Sequence, residues 1–185
     1  MTDSKRFPAL IIRPPFAALM VHSLCGPDEL LRRTAEYRTF GTDYRGPLVI
    51  VQSGSSPDLD KVNRLSARVA DHKLVLDFVR HGDRWTYRTV GLVELVAVHD
   101  MRLAPSSERH RLTQAAINNP CGSEGYYWEF EPHASHPLPP LRFDRVCCGC
   151  IEHRGKATLA GHQAGGHVRL QHVQIPIGEL PLSMR

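Results

Sequence analysis

Among the charged and aromatic residues between positions 13 and 45, Arg13, Arg33, Glu36, Arg38, Tyr44 and Arg45 are the ones whose types and spacing could do chemistry. A guanidinium is planar, permanently charged and carries a fork of N–H donors that fits phosphate oxygens or the edge of a guanine. Several guanidiniums near one another need anionic company, and the phosphates of a nucleic acid would supply it. Tyr44, with Phe40 or Trp128, offers a ring on which an unpaired base can stack. A purely structural reading competes with this one. Glu36 and Arg38 lie two apart on a candidate strand and face the same side. An Arg–Glu network bracing a helix against a sheet would leave the same pattern, and Trp128 would then belong to the core. Charged side chains are rarely buried unless paired, which favours a ligand site. Its binding residues are Arg13, Arg33, Arg38, Tyr44 and Arg45, with Glu36 as acid or base should the site be catalytic.

A second candidate is Cys147-Cys148-Gly149-Cys150-x-x-His153. Cys147 and Cys150 have the gap that lets two sulfurs reach one zinc, and His153 repeats the spacing. Cys121, His162 or His167 would have to complete the set. A second paired knuckle is absent, and cysteine often serves as a small apolar filler. Free thiols are therefore the expectation, with no metal. Five cysteines in this clustered arrangement do not resemble a secreted disulfide scaffold. The histidines toward the C-terminus form no HExxH motif. There is no P-loop, no GxGxxG and no GxSxG elbow, so no cofactor is expected.

The bulk properties are consistent with one domain over residues 1–185. The length suffices for a single core, and 42% hydrophobic with 23% charged residues is ordinary for a globular chain. No apolar run approaches the ~18–20 residues that cross a bilayer. The apolar stretch near the N-terminus is cut by Arg13 and two prolines, unlike a signal peptide. A cytoplasmic protein without membrane association is expected. The net charge of +4 says little about partners, but 19 of the 23 basic residues are arginine. A codon bias toward arginine explains that excess without any function.

These residues need elements to hold them. Residues 9–13 read as a buried strand, stopped by Pro14 and Pro15, and PPFAALMVHSL as a short helix with Phe16, Leu19 and Met20 inward. Residues 34–40 and 48–52 read as strands. Leu59, Val62, Leu65 and Val69 recur with a helical period. Residues 73–80 and 85–99 read as strands, the second broken only by Glu94. Residues 105–120 read as a helix and 126–131 as a strand. PHASHPLPPL reads as an extended connector, and 141–146 and 167–175 as the last strands. Six or seven strands with two or three short helices make an α+β domain.

The stretch IIRPPFAALMVHS followed by RTAEYRTFGTDYRGPLVIVQS resembles the opening of ASCH domains, members of the PUA-like superfamily. The matching positions are Arg13, Pro15, Phe16, Glu36, Arg38, Tyr44, Arg45, Gly46 and Pro47. VGLVELVAV looks like the central strand of that family, and YYWEFEPHASHPLPPLRF like its late strand and proline-marked return. The resemblance covers roughly residues 9–145 and rests on the order of these pieces. It implies a PUA-like mixed β-barrel with a cleft lined by the arginines. One position departs from the pattern. The family's cleft lysine, part of a Gly-x-Lys stretch, is replaced by Arg33 in GPDELLRRT, and the residue three further on is Glu36 rather than threonine. Some relatives remove an acyl group from modified cytidine with that lysine and threonine. Arginine stays protonated and cannot shuttle a proton, so that activity does not carry over.

The function implied is binding of RNA or single-stranded nucleic acid in the arginine-lined cleft, in preference to duplex DNA. The alternative is a hydrolase acting on RNA or a modified nucleoside in the same cleft, with Glu36 as its acid or base. A third reading makes the arginines braces of the fold.

Overall fold

Alternating apolar residues that are buried on both sides mark the middle of a sheet, and β1 (Ser4–Ile12) shows this: Phe7 and Ala9 face one cluster, Leu10 and Ile12 another. The chain is described by a computed structural model over residues 3–22, 32–53, 57, 59–65, 69, 72–81, 86–117, 124–141 and 171–185. After β1 come α1 (Phe16–Val21), β2 (Ala35–Arg38), β3 (Gly46–Gln52), α2 (Leu59–Asn63) and α3 (Lys73–Arg80). Then follow β4 (Thr89–Asp100), α4 (Ser106–Ala115), β5 (Tyr126–Pro137) and β6 (Gln171–Pro176). The strands form one sheet in the order β2-β5-β4-β3-β1-β6. Only β1 and β3 pair in parallel, with Ile12 opposite Gln52; the other neighbours are antiparallel. The α+β architecture expected from the sequence is present. No helix among the described residues is long and apolar enough to cross a membrane.

Apolar clusters cover both faces of the middle of the sheet. On one, Leu10, Ile12, Leu48, Ile50, Leu95 and Trp128 pack against α1, whose six residues are all buried, and against Val75 and Phe78 of α3. On the other, Val49, Val51 and Leu92 pack with Val173, Ile175 and Leu180. A smaller cluster of Met101, Leu112, Ala116 and Tyr127 seats α4.

Two segments differ from the sequence expectation. Residues 73–80, expected as a strand because of their branched apolar residues, are helical. The His72 side chain accepts a hydrogen bond from the Leu74 N–H at 3.2 Å, capping the first turn, and Val75 and Phe78 meet the core one turn apart. The proline-rich segment after 131 does not leave the sheet: β5 runs on to Pro137. β4–β5 pairing is irregular between Leu95↔Phe130 and Val93↔Ser135, and β2 covers only residues 126–129 of β5. Pro132 thus falls at a bulge on an uncovered edge, where a missing N–H does little harm. The expected 58–69 helix is described over Leu59–Asn63; Val62, Leu65 and Val69 are buried as its period requires, but Leu59 is 57% exposed. The strand expected over 141–146 lies mostly outside the described residues.

The sheet is strongly curled. The Ile12 carbonyl accepts from the Ser53 N–H at 2.7 Å, so alternation turns the Ile11 carbonyl to the other edge of β1. There the described pairing with β6 reaches Ala9, and Arg38 Nη2 of β2 donates to the Ile11 oxygen at 2.9 Å. Four strand spacings separate β2 from β1 along the sheet, about 19 Å if it were flat. An arginine cannot span that, so β2 must bend round toward β1.

Candidate functional site

Arg38 stands where the two ends of the curl approach. Glu36 and Arg38 project from the same face of β2, opposite Trp128 and Tyr126 of β5. Arg33, just before β2, is fixed by its backbone N–H to the Leu19 carbonyl (2.8 Å) and by Nε to the Ala35 carbonyl (3.0 Å). Its guanidinium lies 4.5 Å from the Phe16 ring centre and its Nη2 is 2.5 Å from Glu36 Oε2. Glu36 Oε1 lies 3.5 Å from Arg38 Nη2. One carboxylate therefore stands between two guanidiniums, and Arg33 holds it the more closely.

The environments of these arginines differ. Arg33 is 1% exposed, so no ligand reaches it in this conformation. The Arg38 side chain is 19% exposed. Its Nε is buried and has no partner among the described residues. Burial pushes the Arg38 pKa below the usual arginine value, Glu36 opposes this, and Arg33 adds to the lowering. Arg13 follows the Ile11 carbonyl by two residues and is exposed. Arg33, Glu36 and Arg38 are thus brought together, with Arg38 anchored on the end of β1 that leads into Arg13.

Tyr44 and Arg45 make their hydrogen bonds within their own loop. The Tyr44 hydroxyl donates to the Pro47 carbonyl at 2.6 Å, and Arg45 Nη1 donates to the carbonyls of Thr42 (3.0 Å) and Tyr44 (2.6 Å). Arg45 is exposed and Tyr44 half-buried against the core. Trp128 is fully buried, its Nε1–H donating to the Phe40 carbonyl, and the two rings meet edge to face at 5.5 Å. Both rings therefore serve the core. Glu36 is 9% exposed with both oxygens engaged by arginines, an arrangement suited to bracing charge rather than moving a proton.

The structure also shows groups that sequence reasoning missed. Asp100, Tyr126 and Arg38 stand opposite one another across β4, β5 and β2, in one row on one face. Arg102 reaches back over this row. It binds Asp100 through Nε (2.9 Å) and Nη2 (2.5 Å), donates to the Tyr126 hydroxyl at 3.1 Å, and holds its guanidinium 5.7 Å from that ring's centre. Only strand register could have revealed the row. Glu94 left a signal, as the lone acid in VGLVELVAV; it sits opposite Pro47, burial raises its pKa, and its charge helps burial to raise that of Tyr44. A further cluster fastens α4 to the sheet: His99 Nε2 lies 2.7 Å from Glu129 and Nδ1 3.3 Å from Glu108, while Arg111 bonds both carboxylates. Among the described residues, no group of three His, Cys, Asp or Glu side chains is placed to hold a metal. Cys147, Cys150 and His153 lie outside those residues.

No protein-family model matches the chain, and no curated protein matches it either.

Proposed function

We propose that the chain is an ASCH-type domain on a PUA-like barrel that acts in the cytoplasm and binds RNA or other single-stranded nucleic acid where β1 and β2 approach. One observation carries this reading. Arg38 shares its carboxylate with a sealed arginine, keeps a buried Nε donor that has no partner among the described residues, and still meets solvent at the end of β1 that leads into exposed Arg13. A guanidinium in that state gains more from a phosphate oxygen than a fully paired one does, because the desolvation cost has already been met. β2 and β6 stand at the two ends of the sheet and are not paired with each other among the described residues, so the closed barrel is part of this proposal; what favours it is the curl that brings β2 round to β1. In this reading Arg13 and Arg38 hold phosphate, Arg45 lies at the rim, and Arg33 with Glu36 fixes the Arg38 fork.

The test is fluorescence anisotropy with a labelled single-stranded RNA oligomer across a salt series. Arg13→Ala and Arg38→Ala should each weaken binding and lower the slope of log K against log salt by about one unit. Arg45→Ala should have a smaller effect on both. Absence of binding by the wild type at low salt sinks the proposal.

A further inference from the structure

The row across β4, β5 and β2 suggests what lies next to the phosphate on this face. Directly opposed residues of antiparallel strands put their side chains about 4.5–5.5 Å apart, so Tyr126 flanks Arg38 on one side and Asp100 flanks Tyr126 on the other. Arg102 is 60% exposed yet held by three contacts to the Asp100 carboxylate and one to the Tyr126 hydroxyl. An exposed arginine normally samples many rotamers; this one has been fixed before any ligand arrives, which reduces the ordering cost of binding. Gly41 completes the support, since a Cβ there would lie 3.0 Å from the Tyr126 ring.

The charge at this end differs from that at Arg38. Asp100 balances Arg102, and the Glu124 carboxylate adds to the negative side. A phosphate gains little here. A base is different: guanidinium planes and aromatic rings stack on unpaired bases whatever their sequence. Resting on the nucleic-acid reading above, we infer that Arg102 on Tyr126 is a stacking platform for an unpaired base, one step along the strand from the phosphate held by Arg38. The ligand class is thereby narrowed to a strand with its bases splayed out, because a duplex keeps them stacked on each other.

The experiment compares a labelled single-stranded RNA octamer with an abasic octamer of equal length and charge, titrated against wild-type protein and Asp100→Ala/Arg102→Ala. The double variant removes one charge of each sign, so steering and net charge stay as they were. Wild type should prefer the base-bearing octamer by about 5- to 150-fold, the span for one stacked base. The double variant should lose most of that preference while keeping the wild-type salt slope. Tyr126→Leu should lose it as well, with circular dichroism reporting whether the fold is kept. Equal affinity of wild type for the two octamers overturns the platform while leaving the phosphate site standing, and so does a double variant that retains the full preference. Binding of neither octamer at low salt removes the nucleic-acid reading and the platform with it.

Discussion

Replacing Glu36 with glutamine tests whether the Arg33–Glu36–Arg38 arrangement is a brace. The change keeps size and shape but deletes the charge between two guanidiniums. Arg33 is 1% exposed and lies 2.5 Å from the carboxylate, which is itself 11% exposed, so water cannot replace what is lost. Two unit charges ~4 Å apart at an effective dielectric near 20 interact by about 4 kcal/mol. Breaking a buried pair from one side typically costs about 3–5 kcal/mol, because a cation is left desolvated. Against a domain stability of ~5–15 kcal/mol that is a large fraction. Urea unfolding followed by tryptophan fluorescence should show the unfolding free energy falling by that amount, as a lower midpoint with the slope kept. The double variant Arg33→Met/Glu36→Gln should recover much of the loss, since a methionine can pack on Phe16 without a charge to satisfy. A loss below about 1 kcal/mol for the single change, within the range of a surface pair, would refute the reasoning.

Two other perturbations test the frame. Gly91→Ala would place a Cβ 2.3 Å from Val21 Cγ1 and 2.7 Å from the His136 carbonyl; overpacking of this kind should lower stability by about 1–3 kcal/mol in denaturant unfolding, and an unchanged midpoint would mean α1 does not sit on β4 as described. Arg111 hydrogen bonds hold the Glu108 and Glu129 carboxyls below their usual range, with His99 contributing less. Because folded values are depressed, the stability they contribute is present above the unfolded carboxylate pKa near ~4.3 and is lost as pH falls through the folded values. Arg111→Met should therefore lower Tm at pH 7, and its gap from wild type should close on acidification toward pH 3; a gap that stays constant would contradict the linkage.

Much of the frame was legible because burial writes a simple pattern. Near-continuous apolar runs such as LVIVQ and VGLVELVAV are what strands covered on both faces require, and both are central strands. LVLDFV misled because its branched apolar residues suit a strand. What decides the matter is a cap from His72 and the one-turn spacing of Val75 and Phe78, a weaker signal in a sequence. The site was half legible. That Glu36 and Arg38 share a side follows from their spacing, and they do interact. That Arg33 would be sealed beneath α1 depends on a contact with Leu19 and Phe16 that no local pattern announces. Tyr126 and Arg102 were invisible for a similar reason: 88 residues separate Arg38 from Tyr126, and only register joins them.

The pairing of β1 with β6 has a practical side. The Asp3 carbonyl accepts from the Ile177 N–H at 2.9 Å, and the Lys5 ammonium donates to the Met184 carbonyl at 2.6 Å, so both described extremities meet at one pole. That pole lies at the far end of β1 from Ile11, roughly 20 Å away at ~3.3 Å per residue. A dye, an affinity handle or a sensor-chip linkage attached at either extremity leaves the Arg38 end unobstructed, and two such attachments would be close enough for energy transfer between them.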